Sequence, residues 1–430
     1  MHSCKAKPLN GHFPAPTIEN IFMKLLKIIF FLLLLVSPVF DYIYKWTEEG
    51  SSPALILRAV AAILMIFMLL PHLTSIGKGI GITKTVIFLI LYIGIVTFIA
   101  LPNITSLYAL IRVLYSFLGF LFIYYLAKTS SITEKEVSVF FMLLLVILTI
   151  TAYLNIGHRL DMRQGLNRAD NTGYSLVCAY ASVMFFVNKK TFPLSLLLVI
   201  VGTLLCGKRG AIIAMTIATL PVLIYIFMGE RIKISKKFMY IFFIVISSFF
   251  VLQQFTSYFD ATMGRFERLG EDHGSGRDQL YSLYFEHYKN SDLMHQVFGH
   301  GLSAGTFGAN KPFAFTETAA HSDWLEMLYD FGIVGTLAYA IVFIQLLSII
   351  FKNRNNKNNY YYMLVMSFII WFIKSIISST FLLDISSIYL YMTTAYAIAR
   401  LEQDFHNCND NGQLHRGHQS QQQIPVFQGK

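Results

Sequence analysis

The sequence predicts an all-α protein, a polytopic transmembrane helical bundle of about 12 spans with one large polar loop. Three observations predict this class: the composition, the apolar runs of spanning length, and the distribution of basic residues among the connections. Of the 430 residues, 55% are hydrophobic and 13% are charged, and the mean hydropathy is +0.56. Ordinary soluble domains carry about 25% charged residues. A soluble chain of this length could not bury so much apolar surface, so lipid is the expected solvent.

The apolar runs divide the chain in order. A helix needs about 20 residues to cross the hydrocarbon core, and somewhat fewer when it is tilted. The runs that meet this requirement are 24–40, 53–72, 84–101, 106–127, 137–156, 173–187, 192–206, 210–228, 238–256, 331–351, 360–380 and 383–400. The expected organisation is a tail at 1–23, spans 1–9 within 24–256, a large loop at 257–330, spans 10–12 within 331–400, and a disordered tail at 401–430.

Lysine and arginine occur in alternate connections, as the positive-inside rule requires. With a cytoplasmic N-terminus, the cytoplasmic connections contain Lys78 and Lys84; Lys128 and Lys135; Lys189 and Lys190; Arg231, Lys233, Lys236 and Lys237; Lys352, Arg354 and Lys357; and Arg400. The first outward connection is acidic instead, with Asp41, Glu48 and Glu49. Both termini are therefore expected in the cytoplasm.

Three outward segments carry cations against this rule. They contain Arg159, Arg163 and Arg168; Lys208 and Arg209, in the turn at 207–210; and Arg265, Arg268 and Arg277, in the large loop. Long loops cross the membrane regardless of charge, which accounts for the third segment but not for the short turn. The turn is better interpreted as part of an anion-binding site. Arg58, near the outward end of span 2, is expected to snorkel towards water.

Arginines at an outer membrane surface are well placed to bind the diphosphate group of a lipid carrier. A guanidinium is always charged and pairs with phosphate oxygens in bidentate geometry. If the diphosphate is also a leaving group, these contacts strengthen as charge develops on it. No loop contains an Asp-x-Asp, His-x-x-x-His or complete Gly-x-x-x-x-Gly-Lys-Ser/Thr pattern, so neither a metal nor a cofactor is expected.

His321 is the candidate general base. Asp323, with Glu326 three residues later, has the pattern of a capping box that opens a helix. His321 is then expected just outside the helix N-terminus, where the helix dipole disfavours an imidazolium. A neutral imidazole can take a proton from an acceptor hydroxyl. The alternative is an interfacial histidine that ties the loop to the helix. His300, which lies between two glycines, is interpreted as a turn residue.

Five segments together resemble the O-antigen ligase/O-antigen polymerase superfamily of bacterial envelope enzymes. They are Cys206-Gly-Lys-Arg-Gly-Ala211, Gly274-Ser-Gly-Arg277, Phe298-Gly-His-Gly301, His321-Ser-Asp-Trp-Leu-Glu326 and Tyr329-Asp-Phe-Gly-Ile-Val-Gly335. The resemblance implies a multi-pass protein of the bacterial inner membrane whose large loop is periplasmic. It also implies a metal-independent, inverting glycosyl transfer from an undecaprenyl-diphosphate-linked glycan.

The resemblance also implies roles for individual residues. Arg209 and Arg277 match the arginines that hold the diphosphate, and His321 matches the loop histidine, as base or as positioning group. The candidate substrate-binding residues are Lys208, Arg163, Arg168, Arg265 and Arg268. The segment with Arg163 and Arg168 matches no motif of the family and is assigned on charge and side alone.

Several alternatives stay open at this point. A polymerase is favoured over an O-antigen ligase, because nothing in the sequence marks a site for a lipid A-core acceptor. A flippase for the same lipid-linked sugars would instead place charges near mid-span and use paired broken helices. A non-catalytic scaffold is the third possibility. The expected partners are the lipid-linked donor, a glycan or lipid A-core acceptor, the bilayer and other membrane proteins of polysaccharide assembly. The scattered cations argue against nucleic acid.

Overall fold

The computed structural model describes residues 18–44, 52–72, 81–100, 104–161, 171–228, 242, 273–306, 315–316, 319–378 and 386–421. Within these ranges the chain forms thirteen α-helices, and the only β-type pairing is an isolated bridge between Thr306 and Thr316. The all-α class predicted from the composition is therefore confirmed.

The first eight helices are α1 (Ile18–Tyr44), α2 (Ser52–Leu69), α3 (Gly81–Ile99), α4 (Ile104–Lys128), α5 (Glu134–Asp161), α6 (Thr172–Tyr180), α7 (Phe192–Cys206) and α8 (Arg209–Met228). The remaining five are α9 (His273–Lys289), α10 (Leu293–Phe298), α11 (Asp323–Lys352), α12 (Asn359–Ile377) and α13 (Ser387–Gln421). Short 3-10 turns extend α2 over Leu70–His72 and α6 over Ala181–Phe185.

Eight of the described helices, α1 to α5, α8, α11 and α12, are long and apolar enough to cross a membrane. Two shorter apolar segments, Thr172–Phe185 and Phe192–Cys206, lie at two further predicted spans. The chain is thus a multi-pass membrane protein, while the count of 12 spans stays a prediction. The predicted span at 238–256 lies outside the described residues except for Phe242.

Two helices lie at the centre of the bundle and are surrounded by protein. Residues 176–187, in and after α6, and residues 388–399 of α13 are each at most 4% exposed, so no face of either segment is open to lipid. A helix that is apolar all round belongs in such an interior. The hydroxyls of Thr393 and Thr394 are satisfied within α13 by carbonyls three or four residues earlier.

Polar contacts separate the bundle into two ends. One end holds the ion pairs Lys27–Glu136, Lys189–Glu134 and Lys128–Glu402. These residues adjoin connections that the sequence predicts to be cytoplasmic. The other end holds the ion pair of Asp41 with Arg58, the turn at 207–208 and the start of α11. The helices therefore alternate as the charge pattern predicts, and the compartment that each end faces stays a prediction.

The structure adds helices to the tail and to the large loop, and it differs from the sequence interpretation at Arg58. Residues 401–421 are helical, and Gln403, in the first turn beyond residue 400, donates to the carbonyls of Ala127 and Lys128. The large loop contains α9, α10 and the first turns of α11. Arg58 does not snorkel: it is 1% exposed because it pairs with Asp41.

Candidate functional site

His321 stands immediately before the N-terminus of α11, in a left-handed backbone conformation. Its φ is +56°, a region that histidine, asparagine and aspartate enter more readily than other non-glycine residues. The backbone N–H of His321 donates to the carboxylate of Glu326 at 3.0 Å, and Glu326 is 2% exposed. A buried carboxylate therefore holds the strained backbone that presents the imidazole.

The predicted capping box is wrong by one residue. Ser322 is the N-cap of α11, and Asp323 is the first helical residue. Asp323 is fully buried, and its carboxylate accepts a hydrogen bond from the Tyr339 hydroxyl at 2.8 Å, which in turn accepts from the indole N–H of Trp371 at 3.0 Å. Asp323 thus ties the start of α11 into the bundle, and Glu326 reaches back to His321 rather than to the cap.

The environment of His321 favours the neutral imidazole. Burial lowers the pKa of His321 below its ordinary value of 6.5, and the positive charges of Arg277 and Lys208 lower that pKa further. The sequence argument also predicts a neutral imidazole, but from the helix dipole. In the structure the side chain is partly enclosed and lies near two of the candidate diphosphate-binding cations.

Lys208 and Arg209 sit in a sharp turn between α7 and α8. Gly207 ends α7 with a φ of +59°, and the carbonyl of Lys208 accepts the first hydrogen bond of α8, from Ile212, at 3.0 Å. Arg209 is the first residue of α8. A Cβ atom at Gly210 would lie 2.3 Å from the hydroxyl oxygen of Tyr174, so the glycine allows the turn to approach this tyrosine.

Tyr174 joins the turn to a third cation, Lys374. The ammonium groups of Lys208 and Lys374 lie 5.5 Å and 4.7 Å from the centre of the Tyr174 ring. Lys374 is fully buried near the end of α12, with its Nζ 3.4 Å from the sulfur of Cys178. Sequence reasoning assigned no binding role to Lys374 or Tyr174; a lysine near the outward end of an apolar run was the available signal.

Arg277 is brought to this cluster by α9. Four residues later on the same helix, the Tyr281 hydroxyl donates to the carbonyl of Ile376 at 3.1 Å, which anchors α9 against the end of α12. Burial raises the pKa of Tyr281, and the charge of Arg277 opposes that increase. Arg277 forms no ion pair with any carboxylate in the described ranges. Its charge instead acts on Tyr281 and His321.

Two glycine-containing segments, around Gly299 and around Gly332, cross at the kink in α11. A Cβ atom on Gly299 would lie 2.2 Å from the carbonyl oxygen of Asp330, and one on Gly332 would lie 2.4 Å from the carbonyl oxygen of Val297. The N–H of Gly301 donates to the Asp330 carbonyl at 2.8 Å. His300 is part of this turn, as predicted, and stacks on Tyr329 at 4.5 Å. The crossing fixes the first turns of α11 relative to the rest of that helix.

The remaining predicted site residues cannot be placed. Arg163, Arg168, Arg265 and Arg268 lie outside the described residues. Of the predicted residues that are described, the structure brings together His321, Arg277 and Lys208, with Arg209 next in the chain after Lys208. Over the described part of the chain, no group of three histidine, cysteine, aspartate or glutamate residues is arranged to hold a metal ion.

Residues 194–340 match the model of a protein family described as O-antigen ligase. This segment runs from α7 into α11 and contains the turn at 207–210, Arg277 and His321. No curated protein matches the chain. The family match confirms the resemblance drawn from the five sequence segments, and it supports a membrane glycosyltransferase of the ligase or polymerase type.

Proposed function

We propose that this chain, whose residues 194–340 match the O-antigen ligase family, polymerises a surface polysaccharide. Its donor is a glycan on undecaprenyl diphosphate, and its active end faces the periplasm of a bacterial inner membrane. The observation that carries the proposal is the convergence of Arg277 and Lys208 on a histidine whose pKa they lower. Cations beside a neutral imidazole suit a reaction that needs a base and releases a diphosphate.

The proposed reaction is a direct displacement. His321 accepts the proton of an acceptor hydroxyl, and the oxygen attacks the anomeric carbon of the donor sugar. The bond from that carbon to the diphosphate oxygen breaks, and undecaprenyl diphosphate leaves with its charge held by Arg277, Arg209 and Lys208. In-line attack inverts the anomeric centre. No metal is required, because the guanidinium and ammonium groups stabilise the developing negative charge.

The left-handed backbone of His321 supports this assignment. A non-glycine residue at positive φ costs about 1 to 3 kcal/mol, and such strain persists where the surroundings over-determine it. Here the buried carboxylate of Glu326 holds the backbone N–H, so the imidazole is presented from a fixed position. A merely interfacial histidine has no need of this support.

The second candidate function is an O-antigen ligase, which the description of the matching family favours. The two functions share the donor and differ in the acceptor. A deletion strain separates them through its surface-glycan ladder. Loss of a polymerase leaves a single repeat unit on the surface glycolipid. Loss of a ligase leaves bare lipid A-core while lipid-linked polymer accumulates.

The test of the chemistry uses purified protein with lipid-linked repeat units. The native protein is expected to lengthen the glycan and to release undecaprenyl diphosphate, whereas Arg277→Ala and His321→Asn lose both products at normal protein level. Arg277→Lys should not fully restore transfer, because lysine cannot form a bidentate contact. Lys190→Gln, an exposed change at the opposite end, is the control. Movement of lipid without bond formation would indicate a flippase, and unchanged glycan length in both variants would indicate a scaffold.

A further inference from the structure

A second cationic cluster lies at the same end of the bundle as His321, on α1, α2 and α4. Arg58 of α2 donates through Nη2 to the carboxylate of Asp41 on α1. Arg112 of α4 lies within electrostatic range of both residues. The three side chains carry two positive charges and one negative charge. The cluster therefore has a net charge of +1 between apolar helices.

The hydrogen-bonding capacity of these arginines is not used up. Arg58 is 1% exposed, and its Nε is buried without a hydrogen-bond partner; the Nε of Arg112 is also buried and unpaired. Guanidinium groups in a membrane-embedded bundle are costly unless counter-charges and acceptors surround them. Over the described residues, Asp41 is the one carboxylate that pairs with this cluster. An additional anion would supply both the missing charge and the missing acceptors.

The cluster is open on the side of Asp41. The side chain of Asp41 is 43% exposed, while that of Arg58 is 2% exposed. Asp41 is in the last turn of α1, and Arg58 and Arg112 are in the second and third turns of α2 and α4. All three therefore lie towards the same end of the bundle, the end at which the phosphate of a lipid in that leaflet is expected.

We propose that Arg58 and Arg112 bind the phosphate group of a second lipid, the carrier of the acceptor glycan. Naming the acceptor carrier rests on the proposed function, whereas the anion site rests only on the cluster. Helix α13 packs against both α4, which bears Arg112, and α12, which bears Lys374, so the two cationic clusters adjoin the same central helix. A transfer between two lipid-linked glycans needs two such headgroups held at one membrane surface.

The test counts lipids bound to the full-length protein in dodecyl maltoside by native mass spectrometry, with undecaprenyl diphosphate as the probe. The native protein is expected to bind two equivalents. Arg112→Gln should weaken one of them by about tenfold or more, because a charge-assisted contact is lost. Arg277→Gln should weaken the other. Because Arg58→Gln alone would leave Asp41 unpaired, the double variant Asp41→Asn with Arg58→Gln tests Arg58. Lys190→Gln, far from both clusters, should bind two equivalents.

Two results would overturn the anion site. In the first, Arg112→Gln and the double variant both still bind two equivalents of undecaprenyl diphosphate. In the second, the native protein binds a single equivalent, and Arg277→Gln abolishes that binding. Competition with an equimolar amount of dioleoyl phosphatidylglycerol identifies the source of the phosphate. Resistance of the Arg112-dependent equivalent supports a carrier lipid, and its displacement would overturn that assignment. Failure of the proposed function has a different signature: His321→Asn and Arg277→Ala would retain glycan transfer while Arg112→Gln still lost one equivalent.

Discussion

Replacing Gly332 by alanine should push α11 away from the segment at Val297 and Gly299. Gly332 interrupts α11 with φ +63° and ψ −166°, a combination that is essentially restricted to glycine. A Cβ atom there would lie 2.4 Å from the carbonyl oxygen of Val297 and 2.7 Å from the nitrogen of Gly299. Both are backbone atoms, so neither can rotate aside. The two segments must move apart.

The expected cost has two parts. Alanine in this backbone conformation costs about 1 to 3 kcal/mol. Separation also weakens the hydrogen bonds from Gly301 to the Asp330 carbonyl, at 2.8 Å, and from His300 to the Tyr329 carbonyl, at 3.2 Å. Each such bond contributes about 1 kcal/mol. The total is roughly 3 to 5 kcal/mol, which is large for a single substitution. Because His321 directly precedes α11, the rate of glycan transfer should fall together with the stability.

The assay is thermal unfolding of the detergent-purified protein together with glycan transfer. Gly94→Ala is the matched control, because a Cβ atom at Gly94 of α3 would meet no atom within 4 Å. Alanine in a helix interior is about 0.5 to 1 kcal/mol better than glycine, so this control should unfold at or above the native temperature. If Gly332→Ala unfolded at the same temperature as Gly94→Ala and kept full activity, the crossing would not be what positions His321.

Three further substitutions test the site. His321→Asn should keep the native unfolding temperature, because asparagine tolerates the left-handed conformation. The same variant should lower the rate of glycan transfer about a hundredfold or more. A loss of stability that accounts for the loss of rate would contradict a chemical role for His321. Lys208→Gln removes one of the charges that lower the pKa of His321, so the acidic limb of the pH–rate profile should move to higher pH, while Lys190→Gln leaves it in place. Asp330→Asn should lower the free energy of unfolding by about 1 to 3 kcal/mol, because the buried carboxylate accepts hydrogen bonds from the N–H groups of both Ser303 and Ala304. The control in thermal unfolding is Asp278→Asn, a substitution at an exposed residue.

Local patterns in the sequence predict much of this arrangement. Apolar runs and basic connections are properties of neighbouring residues, so the all-α class and the alternation of the helices follow from them. The same holds for the break at Gly207 and for a helix that starts directly after His321. Each of these features depends on backbone or solvation preferences within a few residues.

Features that depend on distant partners are not predictable in this way. Ser322 and Asp323 are both good N-cap residues, and the choice between them is made by the hydrogen bond from Tyr339, which is 16 residues away. Arg58 is buried because Asp41 reaches it from another helix. The sequence does not distinguish Lys374 from other lysines at the ends of spans, because its contact with Tyr174 of α6 depends on how the two helices pack. Hydropathy also cannot distinguish α6 and α13, which are buried among other helices, from helices that face lipid.

The two cationic clusters together bear on the choice between polymerase and ligase. We infer that the acceptor of a polymerase, like its donor, is carried on undecaprenyl diphosphate, whereas the acceptor of a ligase is lipid A-core. In the proposed reaction the cluster around His321 holds the departing diphosphate, and the cluster of Arg58, Arg112 and Asp41 is the proposed second anion site at the same end. If this protein is a polymerase, both sites should therefore saturate with the same lipid. If purified lipid A-core displaces undecaprenyl diphosphate from the Arg112-dependent site but not from the Arg277-dependent one, the acceptor is lipid A-core and the protein is a ligase.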